Sequence, residues 1–290
     1  MENHPKPLFL RSLRHAACPP DRYLGLLVAG RDAAAFLQGQ LTQDVGRSDA
    51  GELRLAALLT SQGRVLAVPW LARHEESIVL LLPAALAPVV RDALTRYVLR
   101  TKVTLSLAAL AAPLAARFTA AIATRRERTT AESTPAGASA GTSADGAAAA
   151  TSAADVERRW MHALVEAGLP EIGVATSGEW IPQMLNLDML GAISFTKGCY
   201  TGQEIVARTQ NLGRIKRRMF RYETPTVAPP PPKTALSAGG HKVGEVVLAV
   251  ATAGGSELLA VVNLDARDAP LALADGAPCR PVPLPYAVPA

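Results

Sequence analysis

Short apolar runs bounded by turn residues alternate along the chain with stretches in which apolar positions fall at helical spacing, a pattern that predicts an α+β fold. Tyr23 to Val28 reads as a strand, Gly30 as a turn, and the segment from about Asp32 as a helix carrying Phe36, Leu37 and Leu41 on one face. Leu53 to Leu59 and Val65 to Leu71 flank Ser61-Gln62-Gly63 as the arms of a hairpin would. Ile78 to Leu82 predicts a strand, Ala84 to Leu99 an amphipathic helix, and Lys102 to Leu107 a further strand. Asp155 to Ala167 predicts a helix that stops at Gly168, with Pro170 just beyond it. Gly178 to Leu190 predicts another helix. Lys242 to Val250 and Leu258 to Val262 are β-rich and joined by Ala253-Gly254-Gly255-Ser256, so the C-terminal part is expected to be mainly β.

Two composition breaks interrupt this pattern. Thr129 to Ala154 is almost wholly Ala, Ser, Thr and Gly, with too few large apolar side chains to offset the entropy of ordering, and reads as a flexible insert. Ala228 to Lys233 contains four consecutive prolines, Pro229 to Pro232, and reads as a stiff spacer ahead of a small separate unit. The expected division is therefore 1–128, the insert 129–154, 155–227, the proline linker 228–233, and 234–290.

With 290 residues and 49% apolar content the chain can bury a sizeable core. Its longest apolar runs, Ile78 to Val90 and Leu105 to Ala116, are shorter than the roughly 20 residues that span a bilayer, and both contain proline. No secretory h-region follows the first basic residues, so a cytoplasmic location is expected. Cys18, Cys199 and Cys279 are far apart and odd in number, which gives neither a disulfide framework nor a metal-binding pair, and reduced thiols with no bound metal are expected. The net charge of +5 permits an anionic partner without requiring one.

Chemically able residues concentrate in Lys197-Gly198-Cys199-Tyr200-Thr201-Gly202-Gln203-Glu204. If the backbone is extended there, Lys197 and Cys199 point to one face and the ammonium favours the thiolate; Glu204 could orient a donor or accept a proton. A structural cysteine in a tight turn is the competing reading. Arg208, Arg214, Lys216, Arg217, Arg218 and Arg221 lie together without an acid, with Phe220 and Tyr222 interleaved, either as a phosphate-contacting strip or as the solvated side of a strand. Gln38-Gly39-Gln40-Leu41-Thr42-Gln43-Asp44 offers amides suited to a polar heterocycle, or caps for a helix. Tyr23 and Trp160 are candidates for stacking on a flat ligand, or core aromatics. Gly137-Ala138-Ser139-Ala140-Gly141 matches a hydrolase elbow only by composition, and there is no phosphate-binding glycine loop and no zinc-like grouping of histidines.

Phe36 to Val45, Glu166-Ala167-Gly168-Leu169-Pro170, Ile181-Pro182-Gln183 with Asn186-Leu187, and above all Lys197 to Glu204 resemble the YgfZ family, folate-binding proteins related to the aminomethyltransferase (T-protein) of the glycine cleavage system. The resemblance implies an aminomethyltransferase-like ring of α+β lobes with a C-terminal β-barrel, a tetrahydrofolate site formed within 1–128 and 155–227, and a part in maturing or repairing iron–sulfur proteins, including those that modify tRNA. It implies that Cys199 is the functional thiol, with Lys197 and Glu204 in its motif, and that Tyr23, Trp160, Gln38, Gln40 and Tyr200 are the cofactor-binding positions. At the Tyr23 position a relative carries tryptophan.

Two further departures bear on activity. The related transferases carry an essential aspartate in the strand after a glycine turn, where this chain has Gly63-Arg64-Val65-Leu66-Ala67-Val68, and a pterin-holding glutamate where this chain has Gln183-Met184-Leu185. Leucine and alanine cannot assist attack on a folate-bound carbon. The leading expectation is thus a non-enzymatic, monomeric folate-binding assembly factor with transient iron–sulfur clients and neither a membrane nor nucleic acid as direct partner. The alternatives are a one-carbon transferase drawing its acid from elsewhere, such as Asp44, and an RNA-binding module built on Arg208 to Arg221.

Overall fold

A computed structural model describes residues 18–47, 53–74, 77–109, 152–211 and 213–289. Strand β1 (Tyr23–Ala29) follows a single turn at Pro20–Arg22. Gly30 makes the sharp turn into helix α1 (Ala33–Gln38): its φ is +116°, and a Cβ there would sit 2.2 Å from the carbonyl oxygen of Lys102. Five antiparallel strands build the first sheet in the order β2 (Arg54–Leu55), β5 (Trp70–His74), β6 (Ser77–Pro83), β1 and β7 (Thr104–Ala109). The central strands explain the apolar runs. Ile78 to Leu82 of β6 are buried on both faces, so this strand shows no alternation. Helix α2 (Ala87–Thr95) is shorter than expected at both ends and buries Ala87, Val90 and Leu94.

The hairpin expected around Ser61-Gln62-Gly63 is present as β3 (Leu58–Leu59) and β4 (Val65–Ala67), with Gly63 at φ +72°. Helix α3 (Ala153–Glu166) begins two residues before the expected start, because the Ser152 hydroxyl accepts the Asp155 amide at 3.1 Å as an N-cap. It stops at Gly168, whose φ is +63°. The expected insert lies outside the described residues up to 151.

The segment 178–190 is not the predicted long helix. It contains one tight turn, Pro182–Leu185, and Asn186 then takes a left-handed conformation with φ 58°. The reason is tertiary: Gln183 and Asn186 are buried, and their amides donate to the carbonyls of Val206 at 2.9 Å and Met219 at 2.7 Å. Helix α4 (Gln203–Asn211) follows the Lys197 to Glu204 motif.

Six strands close the C-terminal barrel in the order β10 (His241–Thr252), β11 (Gly255–Asn263), β8 (Arg217–Thr224), β13 (Pro278–Val282), β12 (Leu271–Leu273) and β9 (Ala235–Ala238). β8 precedes the prolines, so the proline run joins two strands of one barrel and does not separate the barrel from the rest. Tyr222, Leu236, Val246, Leu258, Ala260, Val262 and Cys279 fill the barrel, while Leu259 and Val261 point outward into the main core. That two-sided burial accounts for the uninterrupted apolar run in β11. Among the described residues no helix is long and apolar enough to cross a membrane.

Candidate functional site

The Lys197 to Glu204 motif is seated on two supports. One is the chain leaving α1. The Lys197 ammonium donates to the carbonyls of Gln38 at 2.7 Å, Leu41 at 2.7 Å and Gln43 at 2.9 Å, and so satisfies backbone acceptors that the end of a helix leaves open. Three acceptors require three N–H donors, which only the charged form supplies. Burial pushes the Lys197 pKa down to about 8, with the Asp44 charge pulling it back up. The ammonium also lies 5.2 Å from the centre of the buried Tyr200 ring, whose own pKa burial raises to about 12. The second support is the β3–β4 hairpin. Gly202 has φ +79°, and a Cβ on it would stand 2.5 Å from the Thr60 carbonyl oxygen; one on Gly63 would stand 2.6 Å from the Ile205 Cβ. Only glycine at both places lets the motif lie this close to the hairpin.

The amide-rich segment is consumed by the same junction. Gln38 accepts from the Val45 amide at 2.8 Å and donates to Asp44 at 3.1 Å. Thr42, wholly buried, donates to the Ala192 carbonyl at 2.7 Å and accepts from Ala57 at 2.8 Å. Gln43 donates to the carbonyls of Gly191 at 2.7 Å and Leu55 at 3.1 Å. Gln40 differs: its carbonyl oxygen receives the Thr201 hydroxyl at 3.3 Å, and its amide nitrogen has no partner among the described residues. The three donors of the Lys197 ammonium are thus given to the backbone and none to Cys199. The ammonium is a fastener for the backbone around it.

Cys199 is exposed, and its thiol has no hydrogen-bond partner among the described residues. The other two thiols are withdrawn. Burial, helped by the Glu171 charge, pushes Cys18 up to about 12, and burial pushes Cys279, inside the barrel, up to about 11. Glu204 is exposed in the first turn of α4, where a carboxylate favours the helix dipole.

Tyr23 and Trp160 are brought together. The Trp160 Nε1–H donates to the Tyr23 hydroxyl at 2.8 Å, and the rings meet edge to face with centroids 5.9 Å apart. The Tyr23 hydroxyl donates to Glu171, which with Glu157 also holds Arg22. Burial raises the Tyr23 pKa well above the ordinary value. The rings are only 2% and 3% exposed, and the cavity beside Tyr23, lined also by Trp70, Leu164 and Glu171, leaves about 10 Å³, room for a single water at most. Both rings are therefore core aromatics here, without an open face for stacking.

The basic strip divides. Arg218 is buried and makes a two-pronged pair with Asp188 at 2.8 and 2.9 Å, while also donating to the Gln183 carbonyl at 2.9 Å. Arg221 pairs with Glu257 at 2.5 Å. Sequence reasoning missed the Arg218–Asp188 pair, since nothing local marks two residues thirty positions apart as partners. Arg208, Arg214, Lys216 and Arg217 remain exposed.

No protein-family model matches the chain. It is 33% identical over 218 residues to the tRNA-modifying protein YgfZ of Klebsiella pneumoniae, covering 67% of each chain. It is 32% identical over 259 residues to an uncharacterized protein of Haemophilus influenzae, covering 84% of this chain and 88% of that one. The glycine cleavage system aminomethyltransferase T of Bartonella henselae shares the fold, with a TM-score of 0.65 at 16% identity over 96% of this chain and 89% of that one. The α+β body and closed barrel are thus an aminomethyltransferase-like fold.

Proposed function

The chain belongs to the YgfZ family, and from that premise we propose that it binds tetrahydrofolate and assists the maturation or repair of iron–sulfur proteins, those that modify tRNA among them, with Cys199 as its working thiol. One observation carries the reading: of three cysteines, Cys279 is buried in the barrel and Cys18 is half-buried with its pKa raised, and the third stands in solvent on a motif fastened at both ends by Lys197 and Gly202. A thiol needed only for packing would be placed as Cys279 is. Because iron–sulfur clusters are usually held by four thiolates, Cys199 serves as one ligand during transfer, with the remaining ligands supplied by the client. We place this activity in the cytoplasm.

The described residues fit folate in part. Gln40 keeps an amide N–H free beside the motif, whereas Tyr23 and Trp160 give their polar atoms to one another and shape the wall from within. Bound tetrahydrofolate would supply a pterin able to carry a one-carbon unit. Aminomethyl transfer has little support, since β4 offers Val65, Leu66 and Ala67, and Asp44 is engaged by Gln38 and by the Gly46 amide at 3.1 Å. The test is restoration of iron–sulfur enzyme activity in a strain lacking this protein, beside calorimetric titration with tetrahydrofolate. Loss of restoration in Cys199→Ala, with saturable folate binding weakened by Gln40→Ala, is expected. Full restoration by Cys199→Ala would remove the thiol role, and absence of folate binding by the folded protein would remove the cofactor.

A further inference from the structure

We propose that Arg208, Arg214, Lys216 and Arg217 form a docking surface for an acidic protein face, which seats the client over Cys199; this rests on the reading of Cys199 as a thiol that meets client proteins. The six basic residues that the sequence groups together are sorted by the fold into two uses. Arg218 and Arg221 turn inward to Asp188 and Glu257. The other four are exposed, and none has a carboxylate or any other side-chain partner among the described residues. Some exposed cations elsewhere are paired, as in Arg158 with Asp155, Lys233 with Glu179 and Arg267 with Asp268, and others, Arg96 and Arg100 among them, are not. Four uncompensated charges on one short segment make a field that an acidic surface would complement.

The segment is held in place. The Gly213 amide bonds back to the Arg208 carbonyl at 2.9 Å, the Lys216 carbonyl accepts from Leu264 at 2.9 Å, and Arg217 is paired with Asn263 in the barrel ladder. It also continues directly from the Cys199 motif through α4. Helix α4 starts four residues after Cys199, and at 1.5 Å per residue Arg208 lies only about 7.5 Å further along its axis than Gln203. A protein footprint of about 800 Å² is roughly 30 Å across, so a partner seated on Arg208 also spans the first turn of α4, into which the Cys199 motif leads.

The chemistry favours protein over RNA. Single-stranded RNA is usually held by aromatic faces alongside cations. Here Tyr222 is buried inside the barrel and Phe220 packs against the same cluster, so the two aromatics interleaved with the strip offer no stacking face.

The experiment compares a fluorescently labelled polyglutamate peptide with a labelled RNA stem-loop, by anisotropy on the full chain at physiological salt. Saturable peptide binding that Arg214→Glu/Arg217→Glu weakens about tenfold, but the charge-matched Arg96→Glu/Arg100→Glu does not, is the expected result. RNA binding tighter than peptide binding and lost in the same variant would replace the proposal with a nucleic-acid surface. No binding to either probe, or equal losses in the two variants, would overturn it. Cys199→Ala leaves the peptide affinity unchanged, so failure of the thiol reading appears only in the restoration assay and failure of the docking surface only in anisotropy.

Discussion

The cluster around Tyr23 and the motif around Cys199 both tie together residues more than a hundred positions apart, and both are rich in polar groups, yet they leave opposite remainders. At the first, Trp160, Tyr23, Glu171, Arg22 and Glu157 form a chain of donors and acceptors that runs from the buried ring pair out to the exposed Glu157 carboxylate. At the second, Lys197, Gln38, Thr201 and Gly202 are used up in fastening the backbone, and the side chain they carry, Cys199, is left with nothing to bond. Polar residues in a motif thus divide into those that hold and those that are held out. Only the second kind can meet a partner.

The sharpest way to break the contrast is Trp160→Ala. It removes a buried ring and leaves the Tyr23 hydroxyl without its donor, so a loss of about 3–5 kcal/mol is expected in denaturant unfolding. A loss below about 1 kcal/mol would mean that the pair is not part of the core. Lys197→Met should cost less, about 1–3 kcal/mol, because it strands the carbonyls of Gln38, Leu41 and Gln43 beneath an apolar tip. It also has a signature in pH. The folded pKa of Lys197, about 8, lies below the ordinary 10.5, so the unfolded chain holds more protons between those values. Burying the Lys197 charge therefore offsets part of what its hydrogen bonds contribute below pH 8, and that offset is relieved as pH rises toward 10.5. Stability of the parent chain relative to Lys197→Met should rise across that window; an unchanged difference would argue against the depressed value. The smallest effect is expected for Cys199→Ala, within about 0.5 kcal/mol, since the side chain is exposed and unpartnered. In the folded parent a thiol reagent should modify one cysteine rapidly, and none in this variant. Rapid modification of Cys18 or Cys279 would erase the distinction among the three thiols.

The sequence made strands β1, β6 and β7 of the first sheet, the stop of α3 at Gly168 and the hairpin around Gly254 legible, because each is written in local spacing and in glycine. It made the seating of Cys199 only partly so. Lys197 and Cys199 stand out as a pair, but the acceptors that capture the ammonium are backbone carbonyls 154 to 159 positions away, to which side-chain identity gives no clue. The long helix expected over 178–190 fails for a similar reason: Gln183 and Asn186 suit a helix by spacing, while their amides are claimed by Val206 and Met219. Tyr23 and Trp160 stand out in the sequence as aromatics that could stack or pack, and the packing that shuts their faces lies in Leu164, Leu169 and Trp70, none of which announces itself in sequence.

The membership of β8 in the barrel fixes where the molecule can be divided. β8 lies between β11 and β13, and the prolines come after it. A fragment cut at Thr234 would lack that stave, and β11 and β13 would each present an unpaired, ladder-ready edge to other copies, a recipe for self-association into aggregates. The shortest piece that keeps the barrel closed begins at Arg217, inside the basic strip, so the joint between body and barrel runs through that strip and not through the prolines.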